Sequence, residues 1–239
     1  MKQSNKFTSE QPENMEPKLL VIFVIDNSTA MTIGRMESIN NFLNSFYKSI
    51  QAGDNNPFTM EMIDKIDFSI ITYSDSVQTL RKASPIGEHE VAPRMKRSTG
   101  NSNCIISAIN EAIDIIKERK EWYKEVGQYY YRPYIYLFSA DGLTESESEE
   151  YIALRNRVLD DYRHKRYYIF NAYIDFTACS DSELQNEIWP LTIHSLHELW
   201  LTINTTGIHH YDDISIIHPE SNADTIDLSG ESWLDEFDV

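Results

Sequence analysis

The chain has 239 residues, 41% of them hydrophobic and 25% charged, a composition suited to a folded protein and unlike that of a globally disordered one. Its 38 acidic side chains against 21 basic ones give a formal net charge of -17. A reader of nucleic acid needs a basic face to displace counterions from phosphate, and an anionic membrane surface asks for the same, so this balance argues against both partner classes.

The acid is unevenly spread. No Lys or Arg follows Arg166, while residues 167–239 carry 14 acids, so the first 166 residues are close to neutral with 21 bases and 24 acids. Residues 206–239 hold nine acids and no base, with Trp233, Leu234 and Phe237 spaced among them. They read as an acidic C-terminal tail, too short for a core of its own. Arg81, Lys82, Arg94, Lys96 and Arg97 form a local basic group that reads as a solvated loop. Two cysteines, Cys104 and Cys179, make neither a disulfide framework nor a four-thiolate metal site. Residues 1–17 are polar, lack the apolar region of a secretory signal, and read as a disordered leader. The longest apolar run, Leu19 to Ile25, is too short to cross a bilayer, and a cytoplasmic protein is expected.

In chain order, Leu19 to Ile25 is a continuous branched and aromatic run, the pattern of a strand buried on both faces of a parallel sheet. Asp26-Asn27-Ser28-Thr29 ends it. From Gly34, apolar residues at Met36, Ile39, Leu43, Phe46 and Tyr47 recur at helical spacing. Ile66 to Tyr73 is the next strand, Ser74-Asp75-Ser76 a turn, and Val77 to Leu80 a hairpin edge, followed by a polar loop to Asn103. Ile105 to about Trp122 is helical, and Tyr134 to Phe138 is an apolar strand closed by Ser139-Ala140-Asp141-Gly142. Thr144 and Glu147 have capping-box spacing for a helix through Tyr162. Tyr167 to Ile174 is a strand, Ser182 to Asn186 a short helix, and Ile188 to Leu191 a short edge strand containing Pro190. Leu196, Leu199, Trp200 and Ile203 mark a last amphipathic helix. Alternating buried strands and amphipathic helices predict an α/β fold with a mainly parallel sheet.

In such sheets ligands bind beyond the carboxyl ends of the strands, where the strand order reverses. Three polar clusters have that placement: Asp26-Asn27-Ser28, Ser98 to Asn103, and Asp141-Gly142. Carboxylates with hydroxyl and amide oxygens are hard ligands, suited to Mg²⁺ or Mn²⁺ and not to zinc.

Val21 to Met31, with Asp26-Asn27-Ser28-Thr29-Ala30 at its end, resembles the first strand and Asp-x-Ser-x-Ser motif of a von Willebrand factor A (VWA) domain. Ile33 to Leu43, Phe68 to Val77 and Leu137 to Gly142 follow that pattern in order and spacing, and Leu196 to Leu201 resembles the closing helix of the bacterial tellurium-resistance (TerY-like) subgroup. The resemblance covers residues 17–205 and divides the chain into a leader 1–17, a VWA domain 18–205 and the tail 206–239. It implies a Rossmann-like, six-stranded, mostly parallel sheet with helices on both faces. It also implies a metal-ion-dependent adhesion site (MIDAS) that binds a protein partner with Mg²⁺ or Mn²⁺.

Carried over by position, Asp26 and Ser28 match the first Asp and Ser of the motif, Asp141 its second Asp, and Ser102 or Asn103 its Thr. Asn27, Thr29 and Gly142 would join the partner-binding face. The pattern is degenerate, since Ala30 stands for the second Ser and Ala140 for the Thr before the second Asp. The subgroup implies a bacterial stress-response or defence setting, with a kinase or phosphatase as partner.

Other clusters carry less. His194 with His197, and His209 with His210, lack a third ligand nearby and are assigned no metal. Cys104 opens a helix without a neighbouring base, and Tyr129, Tyr130, Tyr131, Tyr134 and Tyr136 read mainly as packing. There is no phosphate-binding loop, dinucleotide fingerprint or nucleophile elbow. A divalent-metal phosphohydrolase with Asp26 as nucleophile would want a carboxylate two residues on, where Ser28 stands. The expectation is therefore a non-catalytic binding module. A second expectation is an adaptor whose tail, through Trp233 and Phe237, docks a basic partner beside a vestigial metal site, or folds back over Arg94 to Arg97 and occludes the chain's own surface.

Overall fold

The computed structural model describes residues 17–51, 65–89, 91–101, 104–139, 148–172 and 191–193. The elements are β1 (Leu19–Asp26), α1 (Ile33–Gln51), β2 (Ile66–Tyr73), β3 (Val77–Pro85), a 3-10 turn (Ile86–Glu88), α2 (Ile105–Val126), β4 (Tyr134–Phe138), α3 (Glu149–Arg163), β5 (Tyr168–Ala172) and β6 (Leu191–Ile193).

They build one sheet in the order β3-β2-β1-β4-β5-β6. Neighbouring strands run parallel except for β3, which returns antiparallel to β2 at the edge. β1 is central, and its apolar run Leu19 to Ile25 follows from period-2 geometry with both faces covered. Leu19, Val21, Phe23 and Ile25 point to the face covered by α1, packing with Met36, Ile39, Leu43 and Phe46. Leu20, Ile22 and Val24 point to the other face, against Ile109, Ala112 and Ile116 of α2 and Leu154 and Val158 of α3.

Phe23 anchors the α1 face, with Phe68 edge-on at 4.8 Å and Phe138 at 5.2 Å between ring centroids. Truncating such a ring costs about 3–5 kcal/mol. Four of the five clustered tyrosines (Tyr130, Tyr131, Tyr134 and Tyr136) are buried, which bears out packing as their role, while Tyr129 is half-buried.

The chain leaves β1 toward β2 on one side and later returns to β4 on the other. Right-handed crossovers in opposite directions need helices on opposite faces, which is where α1 and the α2–α3 pair lie. The strand order therefore reverses at β1, between β2 and β4.

Several local expectations are corrected. β3 runs to Pro85 and not only to Leu80, because an edge strand with one exposed side can be polar. α2 extends four residues past Trp122 to Val126, closed by Gly127 in the left-handed conformation at φ 70°. The cap of α3 is Ser148, whose side chain accepts from the Tyr151 N–H at 3.1 Å, and the helix begins at Glu149. β6 spans Leu191–Ile193 and so runs two residues past Leu191, where the expected edge strand ended. Thr144, Pro190, the helices expected at 182–186 and 196–203, both His pairs and Cys179 lie outside the described residues.

Candidate functional site

β1, β2 and β4 end at one level, since Asp26 pairs with Tyr73 and Ile25 with Phe138. Asp26, Ser74 and Ser139 thus sit together at the carboxyl edge, where the strand order reverses. This is where an open α/β sheet places its ligands.

The loop after β1 is held by its own side chains. The Ser28 backbone N–H donates to Asp26 Oδ1 at 2.7 Å, and Ser28 Oγ accepts from the Ala30 N–H at 3.2 Å. Asp26 and Ser28 are 1% and 0% exposed. Met31 is buried below them, and Thr32 starts α1, its hydroxyl accepting from the Arg35 N–H at 3.2 Å.

A strap, residues 95–101, lies across this loop. The Ser98 N–H donates to the Asn27 carbonyl at 2.6 Å, and the Thr29 N–H donates to the Gly100 carbonyl at 2.8 Å. The Asn27 side-chain amide reaches the Lys96 carbonyl at 3.4 Å. The strap is in turn gripped by the β2–β3 turn: the Asn101 N–H donates to Asp75 Oδ1 at 2.7 Å, and the Cys104 N–H to the Ser74 carbonyl at 3.1 Å.

Among the sequence-predicted site residues, Asp26, Asn27, Ser28, Thr29 and Ala30 are brought together with Ser98 to Asn101. Ser102, Asn103, Asp141, Gly142, Trp233 and Phe237 lie outside the described residues. Asp75 and Asn40 escaped the sequence reading. Asp75 had one signal, an acid just past the end of a strand beside β1. Asn40 had none, because its partner Met95 is distant in sequence.

Asp26 and Ser28 offer hard oxygens, the chemistry that Mg²⁺ or Mn²⁺ takes. They fit such an ion in kind but supply fewer oxygens than the full motif, because Ala30 gives none and Ser28 Oγ already accepts one N–H. Among the described residues, no three His, Cys, Asp or Glu side chains converge as a metal cluster. Among the same residues, no helix is long and apolar enough to cross a membrane.

Sheet order, switch point and loop together define a VWA-type α/β domain. Residues 21–173 match the family described as von Willebrand factor type A domain, and the chain belongs to that family. Similar solved structures include proximal thread matrix protein 1 from the mussel byssus, in two crystal forms. They are 15% and 14% identical, with TM-scores of 0.44 and 0.43, and the match covers 80% of this chain and 45% of that protein. The three N-terminal domains of the type V pili tip protein Mfa5 from Porphyromonas gingivalis are similar at 14% identity and TM-score 0.35, covering 51% of this chain and 19% of that one. This chain thus spans less than half the length of these structures. No curated protein matches.

Proposed function

We propose that this chain is a non-catalytic protein–protein interaction module that binds a partner through the sheet top around Asp26–Thr29. VWA domains generally serve as interaction modules. The observation that carries the reading is the doubly gripped loop. Asp26 and Ser28 are fixed by their own hydrogen bonds, and the backbone of Asn27 and Thr29 is fixed by the strap, which leaves the exposed Thr29 on a rigid platform. Rigid polar platforms lose little entropy on binding.

A divalent cation, Mg²⁺ or Mn²⁺, would be held by Ser28 directly and by Asp26 through water, with Ser102 or Asn103 and Asp141 completing the set. The ion supplies positive charge for a partner's carboxylate. The TerY-like subgroup, the degenerate MIDAS, the cytoplasmic setting, the stress-response or defence role and a kinase or phosphatase partner all belong to this reading. They rest on the sequence resemblance and family analogy.

The test places a photo-crosslinking residue at the exposed Thr29 and, separately, at the exposed Lys124 near the opposite edge of the sheet. A single adduct of defined mass is expected from position 29 alone, lost in Asp26→Ala. Adducts that are equal at both positions, or indifferent to Asp26→Ala, would overturn the sheet top as the binding face. Persistence in EDTA would remove the cation from it.

A further inference from the structure

The strap that crosses the site is also the basic segment of the chain. Residues 91–101 carry Arg94, Lys96 and Arg97 and no acid, and all three bases are exposed. Their backbone is pinned from both sides. Met95 is buried, and Asn40 of α1 holds both of its backbone groups, accepting from the Met95 N–H at 2.7 Å and donating to its carbonyl at 3.1 Å. The Lys96 carbonyl and Ser98 N–H are bound to Asn27 of the site loop. Arg97 donates to the Thr29 carbonyl. Lys96 and Arg97 thus stand on backbone held against the site loop, and Arg94 precedes the anchored Met95, in a chain whose net charge is -17.

Apolar surface accompanies them. Ile33, which opens α1 just beyond the loop, is 67% exposed, and Val91, at the start of the basic segment, is 66% exposed. They are two of the three large hydrophobic side chains exposed among the described residues. The Val91 carbonyl accepts from the Arg81 guanidinium at 2.8 Å, so that end of the segment is fixed as well. Exposed cations on an anchored backbone, flanked by isolated apolar side chains, suit an extended acidic segment that carries hydrophobic residues of its own.

The chain contains such a segment. Residues 206–239 hold nine acids and no base, and end in Trp233-Leu234-Asp235-Glu236-Phe237-Asp238-Val239. The stretch beyond Ile193 is, when extended, much longer than the breadth of one domain. We propose that residues 206–239 dock in cis on the exposed bases Arg94, Lys96 and Arg97. Exposed ion pairs are individually weak and screened by salt, and tethering raises the local concentration of the segment to the millimolar range. Docking of this kind is reversible and salt-sensitive. The docking itself needs neither partner nor cation.

Amide hydrogen exchange on the full chain tests it, comparing the native protein with Arg94→Glu/Lys96→Glu/Arg97→Glu. In low salt, exchange across 206–239 is expected to be about fivefold slower or more in the native protein, with the difference abolished near 0.5 M salt, where screening acts within a few ångströms. Equal rates in the two proteins, or slow exchange that survives the charge reversal, would overturn the proposal. Slow exchange that grows with protein concentration, together with a dimer in sedimentation, would place the tail on a second copy and overturn docking in cis. A second variant leaves the domain untouched: neutralising Asp224, Asp227, Glu231, Asp235, Glu236 and Asp238 to Asn or Gln. Acetylation of the exposed Lys96 should then be several-fold faster than in the native chain, and an unchanged rate counts against docking. These readouts are independent of the Thr29 crosslink, so either proposal can fail alone.

Discussion

The carboxylate of Asp75 lies directly against the backbone of Gly100. It accepts the Asn101 N–H at 2.7 Å, and a Cβ on Gly100 would meet Asp75 Oδ2 in a clash and Asp75 Cγ at 2.7 Å. A side chain at position 100 requires the Asp75 carboxylate to move, which couples the β2–β3 turn to the strap over the site. Gly100→Ala should therefore cost about 1–2 kcal/mol of stability, the range for a displaced tight contact, and loosen the Thr29–Gly100 hydrogen bond. In Asp75→Ala the obstructing carboxylate is gone, so adding Gly100→Ala should cost at least about 0.5 kcal/mol less than it does alone. Urea denaturation of the four proteins measures the coupling. Strict additivity would mean that the two residues do not touch.

At the opposite edge of the sheet, Asp67 and Arg119 form an ion pair at 2.6 Å with both side chains buried. Tyr123 donates its hydroxyl to the same carboxylate oxygen, and the Arg119 guanidinium lies 4.2 Å from the Trp122 ring centroid. Burial, followed by the adjacent Asp67 charge, raises the Tyr123 pKa well above its ordinary value, so the phenol remains a donor. Asp67→Asn leaves Arg119 charged and enclosed, which costs about 3–5 kcal/mol when one partner of a buried pair is removed. The denaturation midpoint should fall accordingly. The Thr29 crosslink, scored per folded molecule, should be unchanged because the network is remote from the loop.

His89 links three elements: Tyr47 of α1 at 3.2 Å, Ser84 of β3 at 2.7 Å and its own 3-10 turn. Burial, then the Arg81 guanidinium, pushes its pKa down to about 4, with Asp67 opposing weakly. The unfolded chain binds this proton below about 6.5, whereas the folded chain resists until about 4. Between those values the unfolded state holds more protons, so stability rises with pH across the window and is lost as pH falls. Below about 4 both states are protonated and this contribution stays flat. The full effect is at most about 3 kcal/mol. His89→Gln should flatten that part of a stability-versus-pH curve from pH 4 to 6.5, and a curve identical to the native one would contradict the assignment.

The parts legible in sequence were those written locally. β1 as far as Ile25 and the whole of β4 are unbroken apolar runs because both faces are covered, and α1 and α2 show their buried stripes at helical spacing. Asp26 and Ser28 were found because the motif lies within a few residues of a strand end. Contacts between distant positions left no such trace: Asp75 and Asn101 are 26 residues apart, Asn40 and Met95 55, and Asp67 and Arg119 52. Each is a polar residue whose partner is chosen by the fold. The basic group read as one solvated loop is divided by the fold: Arg81 and Lys82 stand in β3, with Arg81 half-buried, while Arg94, Lys96 and Arg97 are exposed on a segment anchored through its backbone, which composition does not reveal. The cap of α3 was misplaced because Thr144 and Ser148 both offer a hydroxyl ahead of acids, and only the backbone distinguishes them.

Ala30 is where the site departs most simply from the motif that Asp26 and Ser28 begin. Its side chain has no oxygen, yet its backbone N–H donates to Ser28 Oγ at 3.2 Å, so the loop is held without a side-chain oxygen at this position. Ala30→Ser adds one hydroxyl beside Ser28 without altering a backbone donor. If that oxygen is the deficiency, Mn²⁺ affinity of the full chain should rise by roughly tenfold, the scale on which single changes around a metal act. Manganese titration followed by electron paramagnetic resonance reads this directly, with Ala30→Ser/Asp26→Ala as the control that should return to the baseline. A gain that survives Asp26→Ala would place the ion elsewhere. No gain at all, with the fold intact, would mean that the loop of Asp26 and Ser28 holds a partner by its backbone and polar side chains without a cation.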